Sequence, residues 1–120
     1  MSVDQAVVFV VEVAGEERFR LLLEDPEKIA EAKRVMEAGR VGVVSGRLAA
    51  GDGGFNAPFH WHLAPSSVEF PDVAIELCDG RPSDVEADLD YWLNNVRRFC
   101  PWSAKIVAQD DEACEPRRFA

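Results

Sequence analysis

"QAVVFVVEVAGEERFRLLLEDPEKIAEAKRVMEAG", residues 5–39, decides the fold class. Its first part is dense in β-branched residues up to "AGEE", a turn-like stretch, and "RFRLLLE" follows. Residues 6–13 and 17–24 are therefore expected to form a β-hairpin. Periodicity then changes. Asp25 suits a helix N-cap and Pro26 a first turn, where the missing N–H does no harm. Ile29, Ala32, Val35 and Met36 make one apolar stripe, and Gly39 supplies a C-terminal stop. A hairpin followed at once by an amphipathic helix points to an α+β fold.

Outward from this core, "VGVVSGRL" at 41–48 is expected to be a third strand. "AAGDGGFNAP" at 49–58 has four glycines or prolines and no periodicity, and is expected to be a flexible connection. "FHWHL" at 59–63 alternates, which puts Phe59, Trp61 and Leu63 on one face and His60 and His62 on the other. "SVEF" and "DVAIELC" are expected to add short extended runs around Pro71. Ser83, three residues before Glu86, forms a capping-box pattern for a second helix. Val85, Leu89, Trp92, Leu93 and Val96 make its apolar face, "CPW" ends it, and "SAKIVAQ" reads as a last strand. The expected architecture is one mainly antiparallel sheet of five to six strands with two helices packed on it. Residues 1–109 are expected to form a single domain and 110–120 a flexible polar tail.

Composition limits the partners. Of 120 residues, 13 are basic and 22 acidic, a net charge of −9. Nucleic acid and anionic membrane surfaces are repelled, so neither is expected as a partner. "AVVFVVEVAG" is interrupted by Glu12 and preceded by Asp4, unlike a signal peptide or a membrane span. The expectation is a soluble, cytoplasmic protein, monomeric or weakly dimeric, without a cofactor. Secretion is the alternative if a disulfide forms. Cys78, Cys100 and Cys114 make an odd count. The residues leave two states open: one bridge, for which Cys78 and Cys100 beside ordered elements are the natural pair, or two buried free thiols.

Chemistry is sparse. His60 and His62 share a strand face about 6.6 Å apart, a workable two-ligand spacing that Glu76, Cys78 or Asp79 could complete. No paired-cysteine motif or helical His-x-x-x-His accompanies them, and surface or structural histidines are the leading reading. Cys78 or Ser66 with a histidine lacks a nucleophile-elbow pattern, and Glu76 and Asp79 would hold the Cys78 thiol protonated. "GDGG" at 51–54 has no following lysine, and "DGRPSD" at 79–84 lacks calcium-loop spacing. No catalytic residues and no metal ligands are assigned.

Three blocks are distinctive: "WHLAP" (61–65), "ELCDG" (76–80) and "CPWSA" (100–104). With the sequence around them, from about residue 7 to 108, the chain resembles the small N-terminal domain of a calmodulin-binding protein of social amoebae, also found as stand-alone bacterial proteins. The resemblance implies no catalytic mechanism. It favours pairing Cys78 with Cys100, because those two lie within the blocks and Cys114 does not. The calmodulin label belongs to a multi-domain relative. The second helix, acidic at Asp84, Glu86, Asp88 and Asp90, is unlike a basic calmodulin target. The reading that results is a non-catalytic module that binds a protein or small ligand through the 49–61 loop and the adjacent strand. Asn56, His60, Trp61, His62 and Trp102 are its expected surface. The alternatives are a protease inhibitor acting through that loop, or a small metal-dependent hydrolase using His60 and His62.

Overall fold

The computed structural model describes residues 6–72 and 76–110. The hairpin forms as expected from strands β1 (Val7–Val13) and β2 (Glu17–Leu23), in register Val7↔Leu23 through Val13↔Glu17. Helix α1 (Pro26–Ala38) begins where Asp25 accepts a hydrogen bond from the Glu27 N–H at 2.9 Å. It ends at Gly39, whose φ of 65° lies in the left-handed region that glycine enters freely. Ile29 and Ala32 are buried, and Val35 and Met36 pack against the same core.

The remaining strands are β3 (Gly46–Ala50), β4 (Trp61–Leu63), β5 (Arg98–Phe99) and β6 (Ala104–Gln109). They do not join one sheet. The order is β2-β1-β6 in the first sheet and β4-β3-β5 in the second, all antiparallel. The α+β class holds, and the single five-to-six-stranded sheet is corrected to two sheets of three. The reason lies in residues 41–45. Gly42 bridges Ala104 and Ser45 bridges Glu69, so this segment spans from one sheet to the other, and the ladder of β3 starts only at Gly46. Gly46 sits so close to β4 that a Cβ there would lie 3.0 Å from the Leu63 side chain.

The two sheets enclose one core. Phe9, Val11 and Val13 of β1 with Phe19, Leu21 and Leu23 of β2 face Ile29 and Ala32 of α1, and also Trp61, Leu63 and Phe99 of the second sheet. Three rings form the junction. Phe19 lies 5.5 Å from both Trp61 and Phe99, which are themselves 5.2 Å apart. Alternation is why the second sheet supplies these rings: Trp61 and Leu63 are fully buried, with His62 between them on the other side.

The second helical region is broken. Helix α2 (Pro82–Ala87) stops at Asp88, which leaves helical geometry at φ −134°, ψ 52°. A turn at Leu89–Tyr91 and a π-helical turn at Trp92–Val96 follow, closed by Arg97 in the left-handed region at φ 67°. The expected apolar stripe still turns inward: Val85 and Trp92 are buried, and Leu89, Leu93 and Val96 pack beside them. The capping-box assignment is corrected. Asp84, not Glu86, accepts the Arg81 N–H at 2.9 Å. Ser83 instead gives its N–H and hydroxyl to the Glu17 carboxylate at 2.8 and 2.7 Å, which fastens α2 to the end of β2. "SVEF" (67–70) closes a 3-10 turn with Ser67 and makes one isolated bridge, Glu69 to Ser45, instead of a strand. In "DVAIELC", residues 76–78 are a 3-10 turn and 73–75 lie outside the described residues.

Asp110 is held as well, its N–H donating to Val8 at 2.7 Å and its carboxylate pairing with Arg20. The remainder of the expected tail, 111–120 with Cys114, lies outside the described residues.

Candidate functional site

The 51–60 loop joins β3 to β4 and is not a slack tether. At its base the Gly51 N–H donates to His60 O at 2.9 Å. Asp52 then organises a turn: its carboxylate accepts from the Gly54 N–H at 2.8 Å, and its carbonyl accepts from the Phe55 and Asn56 N–H groups at 3.1 and 2.9 Å. Asn56, 1 % exposed, is the keystone. Its side-chain oxygen accepts from the Arg20 N–H of β2 at 2.7 Å, and its amide nitrogen donates to Trp61 O of β4 at 2.8 Å. One side chain thus occupies a strand-edge donor of the first sheet and an acceptor beside the second. The Ala57–Pro58 peptide is cis. Gly53, Gly54, Ala57, Pro58 and His60 are left exposed around the buried anchors Phe55 and Asn56.

Both histidines lie beside this loop, as the alternation predicts, and both are engaged. The His62 ring stands 5.5 Å from Phe55, edge to face, and its Nδ1 is 2.8 Å from Gly51 O. A carbonyl only accepts, so Nδ1 is the donor in this bond. His60 is 75 % exposed and is clasped by Glu86 of α2. One carboxylate oxygen accepts the His60 backbone N–H at 2.8 Å and the other accepts from ring Nδ1. Partial burial raises the Glu86 pKa, but the backbone bond, the ring bond and the ring's charge outweigh it and hold the carboxyl below its ordinary 4.5.

This clasp has a pH signature. A folded pKa below the unfolded one gives stabilisation that is complete above pH 4.5 and lost as pH falls through the folded value. Wild type is expected to melt slightly above Glu86→Gln at pH 6, with the gap narrowing as the pH falls below 4.5. A gap constant across an acid series of thermal melts contradicts the clasp.

Gly53 fits its place tightly. At φ +65°, a Cβ there would lie 2.8 Å from both His62 Cγ and Phe55 Cε2, whereas Gly54 at φ +88° has open space. Gly54→Ala carries only the backbone cost of about 1 kcal/mol. Gly53→Ala adds a steric clash and is expected to cost about 2–3 kcal/mol. Thermal melts of the two variants check this; equal losses contradict the packing of His62 on the loop.

The five expected surface residues therefore separate. His60 and His62 face outward at the loop. Asn56 and Trp61 do not: Trp61 is fully buried, and both act by holding the loop and the sheet junction in place. Trp102, 40 % exposed, sits beside the disulfide, its backbone N–H donating to the Asp79 carboxylate at 2.9 Å. A groove lined by Trp61, Trp102 and Phe55 is not formed, since Trp61 and Phe55 are both buried. Sequence reading missed Glu86 as a partner of His60, because its spacing from Ser83 imitates a helix cap.

The cysteines answer the open question of pairing. Cys78 and Cys100 form a disulfide with Cα atoms 5.1 Å apart, and the Cys100 N–H donates to Cys78 O at 2.7 Å. Cys78 is thereby removed as metal ligand and nucleophile. His60 and His62 remain as metal-ligand candidates by residue type. Among the described residues, however, no three His, Cys, Asp or Glu side chains gather into a metal-holding group, and zinc sites use three or four protein ligands. Among the described residues, no helix is long and apolar enough to cross a membrane.

No curated protein and no solved structure matches the chain. The model of the family described as the BP-74 N-terminal domain matches residues 5–112, which covers the hairpin, both sheets, the loop and the disulfide. The chain belongs to the BP-74 N-terminal domain family.

Proposed function

We propose that the domain is a non-catalytic binding module that presents the 51–60 loop, with the His60 and His62 rings beside it, to a protein partner. The observation that carries this is Asn56. A buried side chain ties an otherwise exposed, glycine-rich loop to both sheets, so little order remains to be imposed when a partner binds. Exposed loops on a rigid scaffold are where recognition residues concentrate. The bonded Cys78 supports a role without thiol catalysis. A disulfide persists in oxidising compartments, which supports the secreted alternative over a cytoplasmic one.

The test uses exposed positions alone. Photo-crosslinking from position 57 in the source cells, with the otherwise wild-type domain beside one that also carries His60→Ala, is expected to capture a protein with the first and lose it with the second. Equal capture by the two proteins contradicts the reading.

A fixed loop is also what a protease inhibitor requires, since inhibition depends on a preformed cleft-filling conformation. A panel of serine and cysteine proteases assayed with excess domain separates that special case; the absence of inhibition removes it.

A further inference from the structure

We propose that the outer face of the second sheet, away from the 51–60 loop tip, docks a protein segment in which one aliphatic or aromatic side chain is flanked by carboxylates. Strands β3 and β5 pair Gly46↔Phe99 and Arg47↔Arg98. Phe99 and Gly46 face the core, so the two arginines project outward side by side. Like charges directly opposite each other on a sheet destabilise it. Neither arginine has a carboxylate partner: among the described residues, the carboxylates that are paired go to Arg18, Arg20, His60 and Arg81. Glu69 faces Ser45 across a lone bridge on this side, yet makes no ion pair with them. Arg98 is instead aimed by a neutral group, Nη2 donating to the buried Ser45 hydroxyl at 2.9 Å. An unneutralised guanidinium pair in a chain of net charge −9 is a feature that stability does not explain.

Arg98 also rims a notch of about 200 Å³ whose other walls are Leu77, Cys78, Tyr91, Asn95 and Val96. Leu77 is 79 % exposed and Tyr91 50 %, so two large apolar side chains stand open to solvent beside the cation pair. The notch has room for one apolar side chain, and the adjacent guanidinium forks suit carboxylates. Overall acidity does not forbid this, because charges farther away than about 8 Å are screened at physiological ionic strength. It does disfavour extended polyanions, nucleic acid or an anionic membrane, which would meet the acidic remainder of the surface. A short acidic–apolar segment touches only this face.

Fluorescence anisotropy on the intact, oxidised domain tests the proposal, with a labelled peptide carrying a central leucine between pairs of glutamates. Saturable binding is expected, weakened about tenfold by Arg47→Gln with Arg98→Gln, and about tenfold by Leu77→Ser. Peptide variants test the same point without altering the domain: lysine for glutamate, or serine for leucine, is expected to abolish binding. Ala57→Asp in the loop is expected to leave it unchanged. The proposal is overturned if the peptide does not saturate, if the lysine or serine peptide binds as well, or if phosphatidylserine vesicles retain the domain while the peptide does not.

Discussion

Asn56→Ala is expected to lower the melting temperature by roughly 10–15 °C, more than any change among the exposed loop residues. The substitution leaves the backbone of the loop intact and removes two bonds at once: the acceptor for the Arg20 N–H and the donor to Trp61 O. The orphaned Trp61 carbonyl and the part-buried Arg20 N–H cost about 1–2 kcal/mol each, so the pair is worth about 2–4 kcal/mol. Asn56→Asp separates the two halves. It keeps an acceptor for Arg20 but sets a carboxylate against the Trp61 carbonyl, and is expected to be at least as damaging. A loss of only a degree or two for Asn56→Ala contradicts the keystone role.

The second large effect belongs to the disulfide. The closed loop spans 22 residues, so the chain-entropy model assigns the bond about 3 kcal/mol. Cys78→Ala with Cys100→Ala, or reduction of wild type, is expected to lower the melting temperature by about 10 °C. Thiol titration in denaturant gives the companion result. One free thiol, that of Cys114, is expected before reduction and three after it. Three thiols before reduction would contradict the bond and with it the oxidising-compartment reading.

Local signals carried much of this fold. β-branched density, the Asp25–Pro26 start and the Gly39 stop define β1, β2 and α1 within a residue or so, because each depends on neighbours in the chain. The alternation at 59–63 likewise put Trp61 on the face opposite the histidines, although Trp61 was also expected at the binding surface and is buried. What was not legible depends on distant partners. The division into two sheets follows from Gly42 and Ser45 bridging to residues 104 and 69, which no local pattern encodes. Ser83 and Glu86 carry a helix-cap spacing, yet Glu17 and His60 offer them better bonds across the fold. The glycines of the 51–60 loop read as slack for the same reason. Asp52 and Asn56 supply through side chains the order that glycine lacks, and Asn56 does so with partners 36 and 5 residues away. The break at Asp88 has no glycine or proline to announce it, and the turns after it keep the same apolar face inward.

Asn56 on the Arg20 amide is the point where loop, hairpin and second sheet meet. Arg20 lies on β2, an edge strand, with its N–H turned away from β1 toward the loop. Amide hydrogen exchange followed residue by residue by NMR reads that bond directly. Protection at Arg20 comparable to that of the central β1 amides, and lost in Asn56→Ala, is the result expected of a loop pinned in advance of its partner. Exchange at Arg20 as fast as at an uncovered strand edge, in wild type, would contradict it.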